Sequence, residues 1–340
     1  MPFVSIIITS YNYGRFLKDA IDSALNQTYK NREVIVVDDG STDNSREIIA
    51  SYGKRITAVL KENGGQASAF NAGFSVSYGD VILFLDSDDS LCLHAVEEVV
   101  KVWHPGISKV HYRLQCIDAE GKLLNTYCPP SATPLSSGDL KLKFVKSGAY
   151  TTSPTSGNAF GRGFLQLVLP IPEEEWRVYT DAYLHLHAPF YGEIAAVQEP
   201  LGYYRVHGSN ASSLEKYQSY EARLAREIAM RNRRDNLIRE TARQMNLQPS
   251  FDPTVIIAKK MALLFICPDH GLIKDEGLVR LVCRGVRAIW KEADISIWKQ
   301  VVISAYFISV PFMPRSLAKQ ITFWYIYPER RPLFIRRVVP

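Results

Sequence analysis

The feature that most constrains this chain is a unit repeated through its first hundred residues, a short apolar run rich in β-branched side chains that is cut off by a polar cluster. Residues 4–9 (VSIIIT) run into Ser10-Tyr11-Asn12-Tyr13-Gly14, residues 33–37 into Asp38-Asp39-Gly40-Ser41, and residues 81–85 (VILFL) into Asp86-Ser87-Asp88-Asp89. Runs of this length and makeup read as strands buried on both faces. Between them, residues 15–27 place Phe16, Leu17, Ala20, Ile21 and Leu25 at helical spacing; 43–52 and 66–77 read as helices and 57–60 as a strand. Strands alternating with helices predict an α/β fold, a mostly parallel sheet with helices on both faces. Ligands of such sheets sit beyond the carboxyl ends of the strands, near the point where strand order reverses. All three polar clusters fall at that edge, so they are expected to share one crevice.

The remainder divides by charge. Residues 1–212 hold 18 Lys and Arg against 23 Asp and Glu, whereas 213–340 hold 22 against 12, so a mildly acidic front joins a basic back. Short strands are expected around 109–118, a Pro- and Ser-rich loop over 129–138, and helices over 214–245, 253–266, 276–290 and 295–308. Five scattered cysteines without a CxxC pair suit a reducing compartment and argue against a zinc site or disulfide framework. The N-terminus shows no basic and apolar leader pattern, so the sequons at Asn26 and Asn210 carry no weight and a cytoplasmic setting is expected. The longest uncharged apolar stretch, 301–314, is too short to span a bilayer.

Several residue sets invite chemistry, and each has a plainer reading. Asp86-Ser87-Asp88-Asp89 after an apolar strand suits a hard divalent cation bridging phosphate oxygens; the plainer reading is an acidic turn capping a helix that begins near His94. Asp38-Asp39 has an acidic turn as its alternative, and Asp181 a helix N-cap. His185 and His187 read as helix-surface residues. No GxGxxG follows a strand, which excludes a nicotinamide dehydrogenase. The loop after the first strand lacks the Gly, Arg and Lys of a sugar nucleotidyltransferase. No nucleic-acid-binding module accompanies the basic half.

VSIIITSYNYGRFLKDAIDSALNQTYKNREVIVVDDGSTDNSREII, ENGGQASAFNAG and GDVILFLDSDD together resemble family 2 glycosyltransferases of GT-A fold, densely over residues 2–100 and more loosely to 212. The resemblance implies a catalytic domain over 1–212, with a donor half of about 1–100 and an acceptor half of about 101–212, followed by a basic helical region over 213–340. It implies transfer of a sugar from a nucleotide diphosphate donor, UDP first among carriers, to a glycan or lipid-linked acceptor, with inversion, as in surface polysaccharide synthesis. A silent GT-A module that only binds nucleotide-sugar or glycan is the rival reading. Thr9 and Tyr11 would line the base pocket, and Asp39, with Asp38 beside it, would take a uracil-like base edge. Asn63-Gly64-Gly65 would let the backbone pass close to the donor, and Gln66 to Asn71 would open the helix beneath it. Asp86, with Ser87 next to it, would meet ribose or metal-bound water. Asp88 would ligate Mn²⁺ or Mg²⁺ with Asp86 and His207, and Asp89 is a third carboxylate. Asp181 would be the general base, although Thr180 stands where the family customarily has glutamate; Glu173-Glu174-Glu175 is a weaker choice for that role. Residues 156–159 would face the acceptor, and 204–208 would bring Arg205 or His207 toward the diphosphate.

Residues 290–340 mix Trp290, Trp298, Tyr306, Phe307, Phe312, Phe323, Trp324, Tyr325 and Tyr327 with Arg330, Arg331, Arg336 and Arg337. Two expectations stand side by side for this tail, peripheral contact with the cytoplasmic face of a membrane, or packing of the aromatics on the chain itself or on a second subunit.

Overall fold

The computed structural model describes residues 1–208, 219–251, 254–268, 270–273, 276–290, 296–327 and 331–332. They form two compact units, one of residues 1–144 with 149–211, the other of 145–148 with 212–340. The boundary expected at 212, like Asn210, lies outside the described residues, as do Arg330, Arg336 and Arg337.

The first unit is built on a sheet that has nine strands among the described residues. Its elements begin with β1 (Val4–Ser10), α1 (Gly14–Leu25), β2 (Arg32–Asp39), α2 (Ser45–Ser51), β3 (Thr57–Lys61), α3 (Gln66–Ser75) and β4 (Val81–Asp86). β5 (Ser90–Leu91), α4 (Ala95–Val102), β6 (Ile107–Ile117), β7 (Leu123–Cys128) and α5 (Lys141–Ser147) follow. β8 (Asn158–Gly161), α6 (Arg162–Val168), α7 (Thr180–Tyr191) and β9 (Glu193–Arg205) complete it. The strand order is β3-β2-β1-β4-β8-β6-β9-β5, with β7 on β6. β3, β2, β1 and β4 pair in parallel, as the alternating pattern predicts. Beyond β4 the pairing is mixed: β8 lies antiparallel between β4 and β6, and β9 runs parallel to β6.

Strand order reverses at β1, which has β2 on one side and β4 on the other. In register, Thr9 is opposite Val37 and Asp86, and Ser10 is opposite Asp38. Strands are about 4.8 Å apart, so three chain-distant clusters end on one short edge. Apolar packing fixes that edge. α1 sets Leu17, Ala20, Ile21 and Ala24 into one face of the sheet. On the other face Phe70 of α3 stacks on Phe84 of β4, ring centroids 4.0 Å apart. Each fully buried side chain of this size contributes about 1.5–3 kcal/mol.

Two readings of residues 101–212 are corrected. Residues 107–117 form one long strand rather than short ones, and the alternating Lys109, His111 and Arg113 are all buried. The 129–152 segment covers that face: Arg113 donates to the carbonyls of Pro129, Pro130 and Thr133, and His111 Nε2 lies 2.7 Å from the Ser136 carbonyl. His185 and His187 are not on a helix surface either. α7 is buried nearly all round; His187 Nδ1 meets the Tyr183 carbonyl at 2.8 Å, and burial lowers its pKa.

The second unit is helical, with α8 (Tyr220–Gln244), α9 (Thr254–Ile266), α10 (Leu278–Ile289), α11 (Ile297–Ser309) and α12 (Arg315–Ile326). Ser219 caps α8 by accepting from Ala222 N at 3.1 Å. Leu224, Ile228, Ile257, Met261, Leu281 and Phe307 are among the residues of its core. Much of the aromatic tail packs inside this unit. Tyr306 stacks on Tyr325 at 4.4 Å, and Phe323 lies between Tyr220 and Tyr327.

Candidate active site

The carboxyl edge of β1, β2 and β4 is knitted together by side-chain to backbone bonds. Asn12, in the left-handed region at φ 57°, accepts from Thr42 N at 2.7 Å and donates its own N–H to Ser41 Oγ at 2.9 Å. Gly14 N donates to Asp43 at 2.9 Å, which fixes the first turn of α1. Thr9 is buried at the end of β1, and Tyr11 is half exposed beyond it. Asp38 is fully buried; one oxygen accepts from Arg46 Nε at 2.8 Å and Ser41 N at 3.1 Å, while Oδ1 has no partner among the described residues.

Asp39 organises the loop that follows β3. Its carboxylate accepts from Lys61 Nζ at 2.7 Å, Gly64 N at 2.9 Å, Gly65 N at 2.7 Å and Asn63 Nδ2 at 3.2 Å. Gly65 holds φ 89°, and a Cβ there would fall on the Cγ of Arg177. Glycine is therefore required twice, for backbone and for space. Arg177 reaches back over this loop to the Gly64 carbonyl at 3.2 Å and to Asn63 Oδ1. Nothing in the sequence distinguished this cation from other surface arginines.

Gln66 links both halves of the site. Its Nε2 donates to Asp86 Oδ1 at 3.1 Å, its Oε1 accepts from Thr180 N at 3.4 Å, and its own N–H donates to the Arg177 carbonyl at 3.1 Å. Thr180 opens α7, and Asp181 stands in its first turn with Oδ1 accepting from Ala182 N at 2.9 Å. The residue before them, Tyr179, is held at φ 62°, a left-handed backbone that costs a non-glycine residue about 1–2 kcal/mol. Thr180, in the place of the customary glutamate, is buried and donates to the Trp176 carbonyl at 2.7 Å. Asn71, at the other end of this stretch, pins Ile171 through N–H···O bonds of 2.8 and 2.9 Å and meets Glu173, so it braces the loop before α7.

The carboxylates divide by role. Burial pushes the Asp86 carboxyl up to about 8, with the charges of Asp88 and Asp181 adding to the effect. Asp86 thus feels the charges of both Asp88 and Asp181. Asp88 Oδ2 meets His207 Nε2 at 3.0 Å. His207 is packed between Tyr13 and Phe16, ring centroids 5.5 and 5.0 Å away. The Tyr13 hydroxyl is pushed up to about 12, by burial first and then by Asp88 and Asp86. Asp89, by contrast, is buried and already engaged, accepting from Ser156 Oγ at 2.6 Å and Arg205 N at 2.9 Å. Ser156 and Arg205 belong to the two segments expected near the acceptor and diphosphate, so Asp89 is the pin that sets them beside the carboxyl end of β4. Arg205 donates to the Asp88 and Ala119 carbonyls and to Asp19, and its plane covers the Phe16 ring at 4.6 Å. Ser87 is buried between the two aspartates.

Below Asp181, Lys109 is fully buried, donating to Tyr150 Oη at 2.9 Å and to Thr152. Tyr150 in turn donates to the His185 carbonyl of α7 at 2.9 Å. Burial drives the Lys109 pKa well down, and the Asp181 charge opposes that. A separate cleft lined by Trp103, Ile107, Arg162, Phe164 and Tyr191 opens at the other end of the strands and shares no residue with this cluster.

A carboxylate and an imidazole in direct contact, backed by a buried carboxyl, form a donor set that suits Mn²⁺ or Mg²⁺. Among the described residues no three His, Cys, Asp or Glu side chains stand in ligand arrangement.

A parallel half-sheet with its acidic clusters on one edge, continued by a mixed half that supplies α7, is the GT-A architecture. TarS from S. aureus, whose structure was determined with UDP, shares this fold with a TM-score of 0.58 at 15% identity, over 95% of this chain and 91% of that one. Residues 5–110 match the family model for glycosyl transferase family 2, and that part of the chain belongs to the family. An uncharacterized glycosyltransferase of Nostoc sp. is 38% identical over 213 residues, 61% of this chain and 66% of that protein. Chondroitin synthase of Pasteurella multocida is 47% identical over 104 residues, 30% of this chain and 11% of that one.

Proposed function

We propose that the chain transfers a sugar from a nucleoside diphosphate donor, UDP first among carriers, to a hydroxyl of a glycan or lipid-linked acceptor with inversion. The observation that carries this reading is the meeting of Asp86, Asp88 and His207 with the α7 terminus that bears Asp181, joined through Gln66. The family membership and the likenesses to TarS and to chondroitin synthase support it.

The chain's own groups divide the work. Thr9, Tyr11 and Asp38 border the base; a uracil-like edge reaches Asp39 by exchanging for its contact with Asn63 or Lys61. Gly65 lets the loop backbone approach the donor, and Arg177, lying on that loop, adds a cation for the diphosphate. Asp88 and His207, with Asp86 behind them, would hold Mn²⁺ or Mg²⁺, whose charge offsets that of the departing diphosphate. Asp181 takes the proton of the acceptor hydroxyl as it attacks the anomeric carbon from the face opposite the diphosphate. Gln66 keeps α7 in register with Asp86, so base and donor stay at a fixed separation.

A thermal-shift screen of UDP, GDP, dTDP and their sugars, with and without Mn²⁺, tests the donor; product anomeric configuration by NMR tests inversion. A metal-enhanced shift with one nucleotide class and an inverted product are expected. Donor binding without transfer or hydrolysis would instead mark a silent nucleotide-sugar module.

A further inference from the structure

α11 and the 3-10 turn after it (Val310–Phe312) divide their side chains into two stripes. Gln300, Ser304 and Phe307 are buried; Trp290 Nε1 donates to Ser304 at 3.1 Å, and Gly285 of α10 lies against the Phe307 ring. Trp298, Val301, Ala305, Ile308 and Phe312 recur every three or four residues and so share a different face. That face is exposed, Trp298 to 75% and Phe312 to 87%, with Ile297 beside it at 73%. Soluble surfaces rarely leave an aromatic and aliphatic stripe of this length uncovered without a partner.

Charge selects the partner. From Ser296 to Tyr327 the sequence holds Lys299, Arg315 and Lys319 and no Asp or Glu, and all three cations are exposed. On α10, Arg280 and Arg287 are exposed together with Val279 and Trp290. Two copies meeting through this face would oppose like charges. An anionic lipid surface satisfies both features at once, rings entering at headgroup depth and cations meeting lipid phosphate. No helix among the described residues is long and apolar enough to cross a membrane, so the contact lies along the surface.

We propose that the exposed stripe of α11 and its following turn seats the protein on an anionic lipid surface as a peripheral contact. It stands independently of the transfer reaction.

The test is flotation of the full chain with vesicles of phosphatidylcholine alone or with about one-third phosphatidylglycerol. Wild type should bind the anionic vesicles and fall off with added salt. Trp298→Ser with Phe312→Ser should lower the bound fraction about tenfold or more. Lys299→Gln, Arg315→Gln and Lys319→Gln should each cost about fivefold. Melting temperatures of these variants should stay at the wild-type value, since the replaced side chains are exposed. Should the double variant fail to fold, quenching of wild-type tryptophan fluorescence by brominated phosphatidylglycerol replaces it, with strong quenching expected. Equal flotation of wild type and the double variant, or no quenching, overturns the proposal. A concentration-dependent dimer in light scattering that the double variant abolishes also overturns it, because the face then joins two copies.

Discussion

Replacing Asp89 separates the carboxylate that builds the site from those that work in it. Its side chain is buried at 2% exposure and accepts from Ser156 Oγ at 2.6 Å and Arg205 N at 2.9 Å. Asp89→Ala leaves a buried hydroxyl and a buried N–H without their acceptor, each worth about 1–3 kcal/mol, for a total near 2–6 kcal/mol. In a unit of about 200 residues each kcal/mol moves the midpoint by roughly 2–4 °C, so a loss near 3 kcal/mol lowers Tm by about 6–12 °C. Burial holds the Asp89 carboxyl well above the usual carboxylate range, with Asp88 and Asp86 adding to it. Asp89→Asn should therefore be mild, about 1 kcal/mol or less. Its oxygen still accepts from Arg205, and its amide donates to the Ser156 hydroxyl oxygen, which can also accept. Circular dichroism melts in EDTA at neutral pH, with UDP titrations in Mn²⁺ beside them, measure both. An Asp89→Ala protein that melts like wild type but has lost metal-dependent UDP binding would refute this division and make Asp89 a ligand.

Gly65→Ala should destabilise by about 2 kcal/mol or more and lower kcat/KM, because φ is 89° and the new Cβ meets Arg177; Gly53→Ala, at φ 53° in open space, should cost only about 1–2 kcal/mol and leave kinetics alone. Equal effects in chemical denaturation would remove the steric argument. Gln66→Leu should cut kcat about tenfold or more with a smaller change in donor KM, since it unties α7 from Asp86; a pure KM effect in initial-rate kinetics would contradict this. The Asp86 pKa, raised in the folded state to about 8 from 3.8, gives stability that is full below the unfolded value and lost as pH rises toward 8. Mn²⁺ must displace that proton, so calorimetric Mn²⁺ affinity should rise by up to about tenfold per pH unit between pH 5 and 8; a pH-independent affinity would be inconsistent with it.

The polar edge of the sheet was legible because it sits where periodicity breaks. An apolar strand must stop at a polar cluster, and Thr9, Asp38, Asp39 and Asp86 end three adjacent strands. What was hidden depends on cover supplied from elsewhere in the chain. Lys109, His111 and Arg113 alternate as a solvent-facing strand would, until residues 129–152 close over them. His185 and His187 look like polar helix positions, yet α7 is buried over most of its surface and both rings lie inside. Gln66 and Asn71 lie one helical face apart in the same motif; only tertiary partners reveal that one joins the carboxylates and the other braces residue 171. Arg177 and Tyr13 carry no motif of their own and are found only by proximity.

The central claim, one pocket with a metal-holding side and a base side, is tested most directly by calorimetric UDP binding with and without Mn²⁺, set beside transfer rates, for wild type, Asp88→Ala and Asp181→Asn. Asp88→Ala should lose the Mn²⁺ enhancement of UDP binding. Asp181→Asn should keep it within about twofold and lose transfer by about a thousandfold or more. Transfer that survives in Asp181→Asn, or Mn²⁺-enhanced binding that survives in Asp88→Ala, would contradict the account.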